Sequence, residues 1–190
     1  MRRKTFLTFG IICCLAAVTA CSSKDNERAV PRPDAWPRIN TYPQSYHIAA
    51  GLPINLPVND STIVVTTSRN DWVTISYPRY HANLHLTITR VSPESVNRVV
   101  DNRVERMALN NGGNDSEVIE LTNPAGFKAQ IMKTPRGSVT PLQILAIGRD
   151  MVVSGAVALL DPNDMQKPDS MAPVIDAIEA DLIYAMQNMQ

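Results

Sequence analysis

The chain has 190 residues, with 18 basic and 18 acidic ones, so its formal net charge is zero. That length suits one domain with a real hydrophobic core. The charge balance gives no electrostatic case for nucleic acid as a partner, which needs a basic patch or stripe.

The chain starts with Arg2, Arg3 and Lys4, then runs apolar from Phe6 to Val18 with only Thr8 and Gly10 interrupting. That stretch is shorter than the ~20 residues of a membrane-spanning helix. It ends in Val18-Thr19-Ala20-Cys21, the lipobox pattern of a small residue before a cysteine. The pattern predicts residues 1–20 as a cleaved lipoprotein signal and a covalent lipid on the Cys21 sulfur. Cleavage removes three of the 18 basic residues and none of the 18 acidic ones, leaving 170 residues with a net charge of −3. It also removes Cys13 and Cys14. Cys21 is then the only sulfhydryl and it carries lipid, so no disulfide, thiolate nucleophile or cysteine metal site is expected.

Residues 21–35 form the lipidated cysteine and a tether. A charged run is followed by Pro31 and Pro33, which keep the chain extended. The globular domain is expected over 36–190. Its first part, 36–58, is irregular and broken by prolines, and is expected to wrap the domain without forming long elements. Residues 62–67 are β-branched and read as a strand. In 71–77, Val73, Ile75 and Tyr77 share one face, with Trp72, Thr74 and Ser76 on the other. In 82–91, Ala82, Leu84, Leu86 and Ile88 oppose Asn83, His85, Thr87 and Thr89. This alternation predicts an antiparallel sheet with one covered and one wetter face.

A helix follows, with Ser92 as N-cap, Pro93 in the first helical position and Glu94 against the dipole. Val96, Val99, Val100, Val104, Met107 and Ala108 give it a buried stripe, and Asn111-Gly112-Gly113-Asn114 ends it. Four strands are predicted at 117–122, 127–133, 140–147 and 151–160, joined by turns short enough for hairpins. The last is almost continuously apolar, so it is expected at the sheet centre, buried on both faces. A polar loop over 161–169 leads to a final helix from about Ser170. Its stripe is Met171, Val174, Ile175, Ile178, Leu182, Ala185 and Met186, and Pro173 is placed in its first turn. The fold class is α+β, a single domain with a mostly antiparallel sheet packed with two main helices.

Several segments resemble the gliding-motility lipoprotein family GldD of the Bacteroidota. They are Pro31-Arg32-Pro33, Trp36-Pro37-Arg38-Ile39, Trp72 through Tyr77-Pro78, Leu84-His85-Leu86, Thr140-Pro141, Gly155-Ala156 and Asp169-Ser170-Met171-Ala172-Pro173-Val174-Ile175. Their order spans nearly the whole mature chain. The resemblance implies an accessory lipoprotein associated with gliding and the type IX secretion machine, with no catalytic residues to carry over. The order of elements is also similar to the Mog1/PsbP-like α/β fold. Ser22-Ser23-Lys24-Asp25-Asn26-Glu27 is similar to the surface-export signal of some lipoproteins of that phylum. Even so, the periplasmic side of the outer membrane is expected over the cell surface.

Catalytic patterns are sparse. His81 and His85 have the i, i+4 spacing of helical zinc motifs, but on a strand four residues span roughly 13 Å, too far for one zinc. No metal and no cofactor beyond the lipid is expected. Asp161, Asp164 and Asp169 share a loop without the spacing of an EF-hand. There is no Gly-x-Ser-x-Gly elbow and no phosphate-cradling glycine loop. A hydrolase needs Ser or Asp near a His, and the chain offers no evident pair. Binding suits the residues better. Trp36 and Arg38 beside the tether are of types common at interface hot spots. His85, with Thr87 and Thr89, lies on the wetter face. Trp72 shares that face and is expected to pack beneath the N-terminal wrap. The expectation is a non-enzymatic outer-membrane lipoprotein that docks protein partners, held to the membrane by its lipid. The alternative is a periplasmic or surface module binding a small ligand or peptide.

Overall fold

A computed structural model of the protein describes residues 40–67, 69, 71–134, 138, 140–160 and 168–190, with 168–170 as backbone only. Nine strands and two helices follow in chain order: β1 (Tyr46–Ile48), β2 (Pro57–Asn59), β3 (Ile63–Thr66), β4 (Trp72–Tyr77), β5 (Ala82–Arg90), α1 (Val96–Asn111), β6 (Glu117–Thr122), β7 (Lys128–Lys133), β8 (Leu142–Ile147), β9 (Met151–Leu159) and α2 (Pro168–Asn188). A 3-10 turn, Pro78–Tyr80, joins β4 to β5. Seven strands make one antiparallel sheet in the order β3-β4-β5-β9-β8-β7-β6, and β1 and β2 make a separate pair. The α+β class holds, and β9 is the middle strand as its apolar run predicts. Its burial on both faces is incomplete, because Gly155, Ala156 and Ala158 are half-buried.

The covered face carries the predicted alternating set. Val73, Ile75, Leu84, Leu86, Ile144, Val153 and Val157 are buried under α2, whose Met171, Val174, Ile178, Leu182 and Met186 are buried in turn. Alternation places every second strand residue on this side, and the helix meets it with residues three and four apart. A cavity of only about 10 Å³ remains there, beside Asp181. Two polar ties hold α2 down. Lys133 Nζ on β7 donates to Asp176 Oδ1 at 2.7 Å and Glu179 Oε2 at 2.6 Å. Buried Asn123 donates to the carbonyls of Met186 (3.1 Å) and Met189 (2.8 Å) and accepts from the Phe127 N–H at 3.0 Å. It thereby caps a helix end whose last carbonyls lack partners.

Three expectations need correction. Residues 36–58 are not wholly irregular, since β1 and β2 pair with Tyr46 opposite Asn59. These short strands are fixed from outside: Tyr46 Oη and Asn59 Nδ2 both donate to Asp181 Oδ1, at 2.8 and 3.2 Å. Asn55 and Gln190 exchange backbone bonds, and the Tyr46 and Tyr184 rings stack 3.8 Å apart. Next, α1 starts at Val96 with Ser95 as N-cap, not at Ser92. Ser92 and Ser95 instead close a turn by side-chain and backbone bonds, the local competition that serine offers a helix. Finally, α2 starts at Pro168, so Pro173 lies in its second turn and removes one ladder bond.

Helix α1 crosses the other face over β8 and β9, where Met107, Leu145 and Val152 are buried with Val99 and Val100 against them. Predicted stripe members Val104 and Ala108 are exposed instead. Gly112 ends the helix in the left-handed region at φ 62°, donating to the Leu109 carbonyl, as a helix-terminating glycine does.

Candidate docking face

Because α1 covers only the middle of its face, the strands on either side of it stay open. Over β3, β4 and β5 the register aligns rows of side chains: Trp72 beside Thr87, Val65 beside Thr74 and His85, and Ile63 beside Ser76 and Asn83. Paired residues point to the same side, so these side chains form one shelf. Its floor is half-buried and polar, made of Thr74, Ser76, Asn83, His85 and Thr87. Thr74 Oγ1 and His85 Nδ1 share a hydrogen bond of 3.1 Å. Asn83 Oδ1 is buried with no hydrogen-bond partner among the described residues. The rim is apolar and exposed: Ile63 at 56%, Val65 at 58% and Trp72 at 56%.

The far side of the shelf is a wall of arginine from α1. Arg103 Nη2 donates to Thr89 Oγ1 on β5 at 3.2 Å, and its Nε is buried without a partner. Burial, and then the nearby Arg106 charge, lower the Arg103 pKa. Neither arginine has a carboxylate within ion-pair reach among the described residues. The shelf therefore offers unsatisfied positive charge next to an aromatic lip, which favours an anionic or acceptor-rich partner.

The predicted site residues divide. Trp72 and His85 meet on this face, in adjacent rows. Trp72 is 56% exposed and does not pack beneath the described part of the N-terminal segment. Tyr42 of that segment stacks on Tyr80 and Tyr77, and Tyr77 lies at the other end of β4, roughly 17 Å from residue 72. Cys21, Trp36 and Arg38 lie outside the described residues, as do the tether and Asp161 and Asp164. His81 sits in the turn after Pro78–Tyr80 with φ 48°. Among the described residues, no three His, Cys, Asp or Glu side chains gather as a metal site. Arg103 and Arg106 escaped the sequence reading. The available signal was a charge at position 103, on the same helical stripe as Val99, Val100 and Met107.

A Ser–His–Asp set does come together, contrary to expectation. His47 Nδ1 lies 2.8 Å from Asp60 Oδ1 and Ser45 Oγ bonds the other carboxylate oxygen. These bonds, the Ser45 one first, hold the Asp60 carboxyl below its usual range. The carboxylate sits in the middle, so the imidazole has no bond to the hydroxyl. A nucleophilic triad needs the histidine between the other two. All three residues are exposed on the small sheet, where the set ties the ends of β1 and β2.

The second open flank lies over β6 to β8. Here Val100 and Val104 of α1 face Gln130, Leu145, Ile147 and Lys128 across a groove of about 340 Å³.

Residues 26–190 match the family model described as gliding motility lipoprotein GldD. The chain belongs to the GldD family. No curated protein matches it. Membership makes it a gliding motility lipoprotein, a class associated with the membranes of the cell envelope. No described helix is long and apolar enough to cross a membrane. Three of the GldD-like segments lie on adjoining strands of the main sheet, two of them in the shelf: Trp72 to Tyr77 is β4, Leu84-His85-Leu86 is in β5, and Gly155-Ala156 is in β9 beneath α1. In this GldD-family chain, Thr74, His85 and Ala156 form one row across all three.

Proposed function

We propose that the protein is a non-enzymatic accessory lipoprotein of a gliding motility and type IX secretion apparatus, acting by docking partner proteins on the shelf. Lipid on Cys21 holds it to the outer membrane on the periplasmic side and raises its local concentration, so a weak contact suffices. The observation that carries the reading is the open shelf itself, with exposed Trp72 on one rim and, on the other, Arg103, which has no carboxylate partner among the described residues. Aromatic and arginine side chains are the usual anchors of protein contacts. The test is a photo-crosslinker placed at 72 or 85 in the full chain in cells, with Leu109, 74% exposed on α1, as control. Capture of a gliding or secretion component from 72 and 85 but not 109 is expected. Equal capture from 109, or none from a folded and abundant protein, ends the docking reading. Cys21→Ala is expected to release the protein from the membrane fraction, and retention ends the anchoring reading.

The groove beside α1 favours a second reading, a small-ligand or peptide-binding module. Its volume lies within the ~300–1,000 Å³ of ligand pockets. Val104→Trp, which fills the groove, leaves function intact if docking is the role and abolishes it if a groove ligand is.

A further inference from the structure

We infer that β3 is a self-pairing edge, through which two copies of this chain join their sheets into one. The observation starts with backbone groups. The Thr67 N–H donates to the Trp72 carbonyl, so Thr67 faces β4, and alternation makes Ile63 and Val65 face it too. The N–H and C=O of Val64 and Thr66 therefore point away from the sheet, and no described residue bonds them. Edge strands are normally blunted by lysine, proline, a bulge or an inward charge. Ile63-Val64-Val65-Thr66 has none of these. The opposite edge, β6, carries Glu117 and Glu120.

The occupant follows from the pattern. Only residues with outward backbone groups can exchange ladder bonds, which limits the registers. Antiparallel pairing centred on Val64 places Ile63 of one copy opposite Val65 of the other, twice. These would be non-hydrogen-bonded pairs, where side chains approach most closely. Both exposed apolar side chains then cover each other. Asp60 lies at one end of the segment and Arg69 at the other, so antiparallel pairing brings unlike charges together and parallel pairing would align like ones. The two-fold axis is perpendicular to the sheet, so both docking shelves lie on one continuous face.

Four residues are a small contact beside the ~1,200–2,000 Å² of a stable interface. The pairing is weak in dilute solution and relies on confinement at a membrane. For that strength alone it rests on the anchoring proposed above.

The test uses the full chain in its own envelope, with differently tagged Ile63→Cys and Val65→Cys forms co-expressed. Opposed non-hydrogen-bonded residues lie within the ~4.4–6.8 Å Cα separation of a disulfide. The mixed disulfide is expected to exceed a Leu109→Cys control by about tenfold or more at equal density. Val65→Lys, tested with cysteine at 63, and Thr66→Pro, which removes an outward donor, are each expected to abolish it with the thermal midpoint unchanged. No excess over control overturns the inference, as does a Val65→Cys disulfide with itself in preference to the mixed one. A link from residue 65 to a different protein, or to this chain's own N-terminal segment, overturns it as well. Membrane fractionation of the same cells separates a failed anchor from a failed pairing.

Discussion

Replacing Asp181 tests how the N-terminal strand pair is held. Asp181 is 8% exposed, and one of its oxygens accepts from Tyr46 Oη at 2.8 Å and Asn59 Nδ2 at 3.2 Å. Leaving a buried donor unpaired costs about 1–3 kcal/mol. Asn59 keeps a second bond to the Pro43 carbonyl at 2.9 Å, so its loss falls at the low end. Asp181→Ala is expected to destabilise by roughly 2–4 kcal/mol in total, a fall in midpoint of roughly 4–16 °C for a domain of this size. Asp181→Asn keeps an acceptor and is expected to lose less than about 1 kcal/mol at neutral pH. Burial raises the Asp181 pKa, and its bonds from Tyr46 and Asn59 only partly offset that. The folded state then binds the proton more tightly than the unfolded one. The stability from this group is complete below its unfolded pKa and is lost as pH rises through its folded pKa. Wild type should therefore lose ground to Asp181→Asn as pH rises from acid toward neutral. Asp60 titrates with the opposite sign, but both proteins contain it, so its effect cancels. Urea melts of the three proteins at several pH values, followed by circular dichroism, give the comparison. An Asp181→Ala loss under about 0.5 kcal/mol, or a wild-type advantage that grows with pH, would refute the reasoning.

Asn123→Ala should leave the Phe127 N–H and the Met186 and Met189 carbonyls short of a partner and destabilise by about 2–4 kcal/mol in denaturant melts. Asn123→Asp, which loses both donors and sets charge against two carbonyls, should be worse. At Gly155 a Cβ would run into the His85 carbonyl oxygen and lie 2.6 Å from Leu86 Cδ2. Gly155→Ala is therefore expected to cost about 1–3 kcal/mol or more by thermal melt. Trp72→Ala should leave stability within about 0.5 kcal/mol yet abolish partner capture from a crosslinker at 85. A large drop in midpoint would mean that the ring is structural.

Periodicity made most of the framework legible. Val73, Ile75 and Tyr77, then Ala82, Leu84, Leu86 and Ile88, are all buried on the face that their alternation picked out. The α2 stripe is likewise buried, apart from half-buried Ile175. The ties between elements were hidden from such patterns. Asn59 meets Asp181 across 122 residues, and Asn123 meets Met189 across 66. Buried Gln143, which donates to the Met107 carbonyl and accepts from Asn110, is one more polar residue whose partner no local window contains. The strands β1 and β2 were missed for the same reason, since three residues each carry too little pattern and their support comes from α2. For the shelf, the floor was legible as the polar half of the alternation. Its arginine wall was not, because helix placement over β8 and β9 is a tertiary fact.

The sheet consists of two meanders, β3-β4-β5 and β6-β7-β8-β9, each built from neighbours in sequence. They meet only where β5 lies against β9, a pairing that closes a loop of roughly 60 residues. Hairpins form in about 1–10 μs, whereas such distant pairing must first overcome the loop entropy. The protein should thus assemble as two prefabricated halves whose last act is to zip along β5 and β9. Gly155, bare of a side chain against His85 and Leu86, sits in the middle of that zip and leaves the room it needs to close.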